Sequence, residues 1–154
     1  MAKPQKITGL NPKQSFRENA RIILPQKVEE VYTWEQFIRD PEKREELHNM
    51  RISIKRLRYT MEFFAINYDK HFTEFIKTII DLQDILGDIH DSDVVLEVLA
   101  DYKGSFQSTE LPGVDTLIAR TRKTRNADYQ MFLERWEQLS EVNFKQKLLS
   151  IFAS

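Results

Sequence analysis

Cations recur at helical spacing between Arg44 and Glu62, in a stretch whose neighbouring positions are apolar. At about 100° per residue, Arg44, His48, Arg51, Lys55 and Arg58 fall in one stripe with Glu62. Leu47, Met50, Ile54, Leu57 and Met61 lie on one side of it, and Ile52, Tyr59 and Phe63 on the other. Asn49, Ser53, Arg56 and Thr60 form the polar strip on the far side, so that Arg56 alone reads as a plain solvated cation. A surface helix normally carries its charges opposite its apolar face, whereas this stripe points inward. Arginine cannot shed its proton, and its planar fork matches phosphate-like oxygens in pairs. The chemistry this pattern suits is the holding of an anion.

The same placement occurs twice more. Arg17 and Arg21 share a face with Leu24, Val28 and Val31, and Arg122 and Arg125 share one with Ile118, Tyr129, Phe132 and Trp136, while Arg120 and Lys123 point elsewhere. Any single inward cation is most simply an interior salt bridge or a long side chain reaching water. Arg17, Arg21, Arg51, Lys55, Arg58, Arg122 and Arg125 together are harder to place, because an unpaired buried charge costs several kcal/mol. Asp81, Asp84, Asp88 and Asp91 read as facing water, which leaves Glu35, Glu62, Asp93 and Glu97 as inward acids and a surplus of three cations. The surplus predicts a basic inner channel open to a ligand. Flanked by Ile52, Tyr59 and Phe63, the stripe does not suit the major groove of a duplex. Nor does it suit a membrane surface, which wants apolar groups exposed beside cations.

These residues must be positioned by helices. Only four Gly and five Pro among 154 residues, with 41% hydrophobic and 31% charged residues, fit a mostly helical globular chain forming a single domain over 1–154. Helices are expected from Lys13 to Arg39 with a bend at Pro25, from Glu42 to Asn67, from Asp69 past Gly87 to Asp101, and from Val114 to Leu139. Asn143 reads as the cap of a short final helix, residues 103–112 as a loop, and Gly87 as a kink or a close helix contact. Four long helices with short links predict an all-α antiparallel bundle. The net charge of −1 hides segregation: residues 1–27 carry +5 and residues 69–101 carry −7. No cysteine is present, so thiol and disulfide chemistry are excluded. No signal-peptide core and no run of about 18 apolar residues is visible, which makes a soluble, cytoplasmic protein the expectation.

The run His48-x-x-Arg51-x-x-x-Lys55-Arg56-Leu57-Arg58-Tyr59 resembles the signature helix of the CHAD family of histidine-containing α-helical polyphosphate-binding domains. The run Leu82-Gln83-Asp84-Ile85-Leu86-Gly87-Asp88-Ile89-His90-Asp91-Ser92-Asp93-Val94 resembles that family's second motif, with His90 where the family often has Arg. Arg17 with Arg21 resembles its first helix, and Arg122 and Arg125 with Tyr129 and Trp136 resemble its C-terminal basic and aromatic helix. The resemblance implies non-catalytic binding of inorganic polyphosphate, with no cofactor and with targeting to polyphosphate granules. Arg17, Arg21, His48, Arg51, Lys55, Arg58, His90, Arg122 and Arg125 would line the site. Full-length members carry two similar halves around one channel, and this chain has room for one; either two copies assemble into the full channel as a homodimer, which is the favoured reading, or this half serves as a smaller site.

Two other readings stand beside it. His90-Asp91, with His48 and Asp93, has the residue types of a metal-dependent phosphohydrolase, in which imidazole and carboxylate hold a metal that activates water. On a continuous helix His90 and Asp91 point about 100° apart. The acidic face of the third helix could instead serve a helical interaction module. No Gly-rich phosphate loop and no Ser or Cys nucleophile in a recognisable setting is present.

Overall fold

The computed structural model describes residues 2–105 and 112–154, and among them every regular element is helical. The order is α1 (Phe16–Tyr32), α2 (Arg44–Phe64), α3 (Lys70–Gly104), α4 (Pro112–Glu141) and α5 (Phe144–Ala153), with short 3-10 turns at Glu35–Phe37 and Ala65–Asn67. Each α-helix packs against the next in the chain, and α5 packs back on α1, so the ring closes around an apolar core.

Local chemistry sets most boundaries. Ser15 starts α1 through a capping box: its hydroxyl accepts from the Glu18 N–H at 3.2 Å, and the Glu18 carboxylate accepts from the Ser15 N–H at 2.7 Å. Those bonds hold the Glu18 carboxyl below its usual range. Pro25 lies inside α1 without ending it. The helix stops at Tyr32, well before the expected Arg39, because the chain beyond it is tied to other helices. Trp34 Nε1 donates to Ser53 Oγ at 3.0 Å, and Tyr129 Oη donates to the Ile38 carbonyl at 2.7 Å. Asp69 caps α3 by accepting from His71 N–H at 2.9 Å. Asn143 occupies the start of α5 but makes no capping bond there; its φ of 55° lets the chain reverse after α4. Of the loop expected over 103–112, residues 106–111 lie outside the described residues, while Lys103 and Gly104 extend α3 and Pro112 begins α4.

On α2, Leu47, Met50, Ile54, Leu57, Met61 and Phe64 are buried, as their spacing predicts, and each such side chain contributes about 1.5–3 kcal/mol. They meet Leu24, Val28 and Val31 of α1, Leu82, Leu86 and Ile89 of α3, Phe132 and Trp136 of α4, and Leu148 and Phe152 of α5. The interior is therefore filled by apolar side chains. The other expected flank is more open: Tyr59 is 54% and Phe63 67% exposed, with Phe16 meeting the Phe63 ring edge-on at 5.3 Å, while Ile52 is half-buried.

Arg56 differs from its expected solvated role. Its Nη1 donates to Glu30 Oε1 at 2.9 Å and its Nη2 to the Ala2 carbonyl at 2.7 Å. Glu30 is buried and also takes Lys27 Nζ at 3.1 Å, so a buried ion triad joins α1 to α2. At about 1.5 Å per residue, α3 spans roughly 52 Å against roughly 31 Å for α2. The far end of α3 thus overhangs α2 and runs beside α4.

Candidate functional site

The basic stripe of α2 lies along the outer side of the α2–α3 groove. Its residues meet a strip of α3 in antiparallel register. Arg58 Nη1 faces Gln83 Oε1 at 3.4 Å, Arg51 crosses Gly87, and the His48 ring stacks on the His90 ring with centroids 3.9 Å apart and planes 19° apart. A Cβ placed on Gly87 would stand 3.4 Å from Arg51 Nε, so the glycine marks a close helix contact, and α3 continues through it. Gln83 was not among the candidates read from sequence; its place one helical turn before Gly87 is the signal that identifies it.

Charge along the groove is unevenly satisfied. Arg58 Nε donates to Glu62 Oε1 at 3.0 Å, and its guanidinium lies 5.4 Å from the Tyr59 ring centre. Arg51 and Lys55 have no carboxylate partner among the described residues, and the buried Arg51 Nε and His48 Nδ1 have no hydrogen-bond partner there. Burial, then His90, Arg51 and Lys55, hold His48 below the usual histidine range, so its neutral form is favoured. Where the groove meets α4, a cleft of about 420 Å³ opens, lined by His48, His90, Arg44 and Arg122 together with Glu45, Asp93 and Glu97. Arg122 is exposed and has no acid partner among the described residues.

The remaining candidates are placed elsewhere. Arg125 is 3% exposed; its Nε donates to Asp93 Oδ1 at 2.8 Å, and its guanidinium lies 5.6 Å from the Tyr129 ring centre. Asp93 also takes Arg44 at 3.6 Å, so Arg125 is committed to an internal ion pair between α3 and α4. Arg17 and Arg21 are exposed, and the Nη2 of each donates to the Ser154 main-chain oxygen, at 2.7 and 3.0 Å. That puts them where α1 meets α5, and among the described residues no hydrogen bond or ion pair joins them to the α2 stripe.

A metal centre finds little support in this arrangement. His90 lines the cleft with His48, whereas Asp91 lines a different cleft with Arg120 and Thr124. Among the described residues no group of three or more His, Asp or Glu gathers closely enough to hold a metal ion. Of the acids expected to face water, Asp84, Asp88 and Asp91 do, while Asp81 accepts from Arg135 of α4 at 2.6 Å. No helix among the described residues is long and apolar enough to cross a membrane.

Fold and groove together define an all-helical protein with an incompletely neutralised basic strip between two antiparallel helices. A family model described as the CHAD domain matches residues 5–100, well over half of the chain, and the chain belongs to that family. The matched stretch contains α1, α2 and nearly all of α3, including both motifs, and ends before α4. No curated protein and no solved structure matches the chain.

Proposed function

We propose that this protein binds inorganic polyphosphate without chemistry, along the α2–α3 groove. The observation that carries the reading is that Arg51 and Lys55 share one open groove without a carboxylate partner among the described residues, beside Arg58 and the paired imidazoles of His48 and His90. A run of cations at roughly one-turn intervals suits a ligand whose charge repeats along a chain. Arg122 extends the groove at the α4 end. Binding would gain from charge-assisted contacts and from release of counterions, as for other polyanions. Membership of the CHAD family supports the same ligand class.

The finer parts of the reading are a single helical domain acting as half of a homodimer, and a place in the cytoplasm at polyphosphate granules. The overhang of α3 supports the dimer: Val94, Val98 and Tyr102 are exposed there, just beyond His90. A second copy covering them would extend the groove across a two-fold axis. Light scattering with and without polyphosphate tests this, and a monomer under both conditions would remove it.

The groove itself is tested by titrating long-chain polyphosphate at physiological salt into wild type and into Arg51→Ala/Lys55→Ala, with orthophosphate, ATP, single-stranded RNA and duplex DNA as competitors. Tight, length-dependent binding that the double substitution abolishes, with helical content unchanged, is the expected result. Binding indifferent to these two residues, or stronger for nucleic acid, would overturn it.

A further inference from the structure

We propose that the stacked His48–His90 pair couples occupancy of the groove to proton uptake, so that a phosphate polyanion binds more tightly as pH falls through the histidine range. This rests on the groove being the polyanion site. The two rings face each other at 3.9 Å at the junction of groove and cleft, one from α2 and one from α3. At that separation a positive charge on the facing ring repels one on His48 and opposes its protonation.

The surroundings of His48, burial first among them, disfavour its protonation when the groove is empty. From α2, Arg44, Arg51 and Lys55 face it with positive charge, and Arg122 does so from α4. The carboxylates around it are Glu45 of α2 and Asp93 and Glu97 of α3, but Asp93 is already shared between Arg44 and Arg125. Burial adds to the cost of charging His48, whose Nδ1 has no partner among the described residues. A phosphate chain lying against Arg51 and Lys55 reverses the sign of that field and offers oxygens to ring N–H groups. Ligand and proton then favour each other by the same factor, as linkage requires. Arginine in place of either histidine would bind at all pH values; histidine makes the grip conditional.

The experiment is an NMR titration of the intact chain between pH 5 and 8, following the imidazole resonances with and without long-chain polyphosphate. The chain has three histidines, and His71, exposed in the first turn of α3, serves as the internal reference. The His48 midpoint should rise by about one unit on binding, matched by a roughly tenfold gain in affinity on acidification, while His71 moves far less. Because the end groups of polyphosphate titrate in the same range, the affinity series is repeated with His48→Gln/His90→Gln, which should bind with a flattened pH profile. An unmoved His48 midpoint in the occupied protein, or a pH profile unchanged in the double variant, would overturn the coupling and leave the groove intact as a binding site. Absence of binding at every pH would sink the groove reading, and the coupling with it.

Discussion

The guanidinium of Arg51 crosses α3 at Gly87, where a Cβ would stand 3.4 Å from its Nε. Glycine costs a helix interior about 1 kcal/mol relative to alanine, so its presence there marks room kept for the arginine. A methyl group just fits, and anything larger must push the guanidinium outward. Gly87→Ala should therefore raise stability by up to about 1 kcal/mol in denaturant unfolding and change polyphosphate affinity less than about twofold. Gly87→Leu should weaken binding about tenfold or more, since a hydrogen bond to a charged group contributes roughly 1.5–3 kcal/mol. Equal affinities for the two variants would show that the position of Arg51 is immaterial to the ligand.

Arg122 and Arg125 stand one turn apart on α4, and they should respond to truncation in opposite ways. Arg122→Ala should lower affinity and flatten its dependence on salt, because one fewer cation meets the polyanion, with stability within about 0.5 kcal/mol of wild type. Arg125→Ala leaves Asp93 with only the longer contact to Arg44 and should cost about 1.5–3 kcal/mol in stability, as for a lost hydrogen bond to a charged group. Parallel calorimetric binding and urea unfolding separate the two; loss of binding with unchanged stability in Arg125→Ala would place that residue in the groove after all.

Glu30 holds Lys27 at 3.1 Å and Arg56 at 2.9 Å while almost fully buried. Removing its charge leaves two cations facing an apolar interior, and Glu30→Ala should destabilise the fold by about 3–5 kcal/mol. Well below its unfolding temperature the variant should bind polyphosphate like wild type, because the triad lies on the α1 side of α2. A change under 1 kcal/mol in equilibrium unfolding would mean that water reaches the triad freely.

What the sequence disclosed follows from period and cap. The apolar stripe of α2, the long α3 and the course of α4 are set by local periodicity, and all were legible. Exposure was not, because periodicity tells which residues share a face and says nothing of whether a neighbour covers it. Tyr59 and Phe63 read as a wall and are mostly exposed, while Arg56 reads as a solvated cation and is half-buried against the buried Glu30. The end of α1 at Tyr32 depends on Trp34 reaching Ser53 and Tyr129 reaching Ile38, partners 19 and 91 residues away. Within the groove, the spacing gave His48, Arg51, Lys55 and Arg58 as a set. Only the antiparallel register with α3 shows that Gly87 and His90 lie opposite Arg51 and His48, and that Arg125 is spent on Asp93.

The acid stability of the empty protein follows from His48. Its pKa in the folded chain lies below the ordinary value of 6.5, chiefly through burial and secondarily through His90, Arg51 and Lys55. The unfolded chain therefore binds the proton more readily. This group's contribution to stability is fully present above the unfolded value and is lost as pH falls through the folded one. Chemical unfolding should show stability declining as pH drops below about 6.5, and His48→Gln should shallow that decline without altering the plateau at pH 8. Saturating polyphosphate should do the same for the unsubstituted protein, because the bound anion lifts the penalty for charging the ring. A decline that is equally steep in His48→Gln would assign the acid sensitivity to the carboxylates instead, with Glu18 the first to examine, since its capping bonds hold its carboxyl below the usual range.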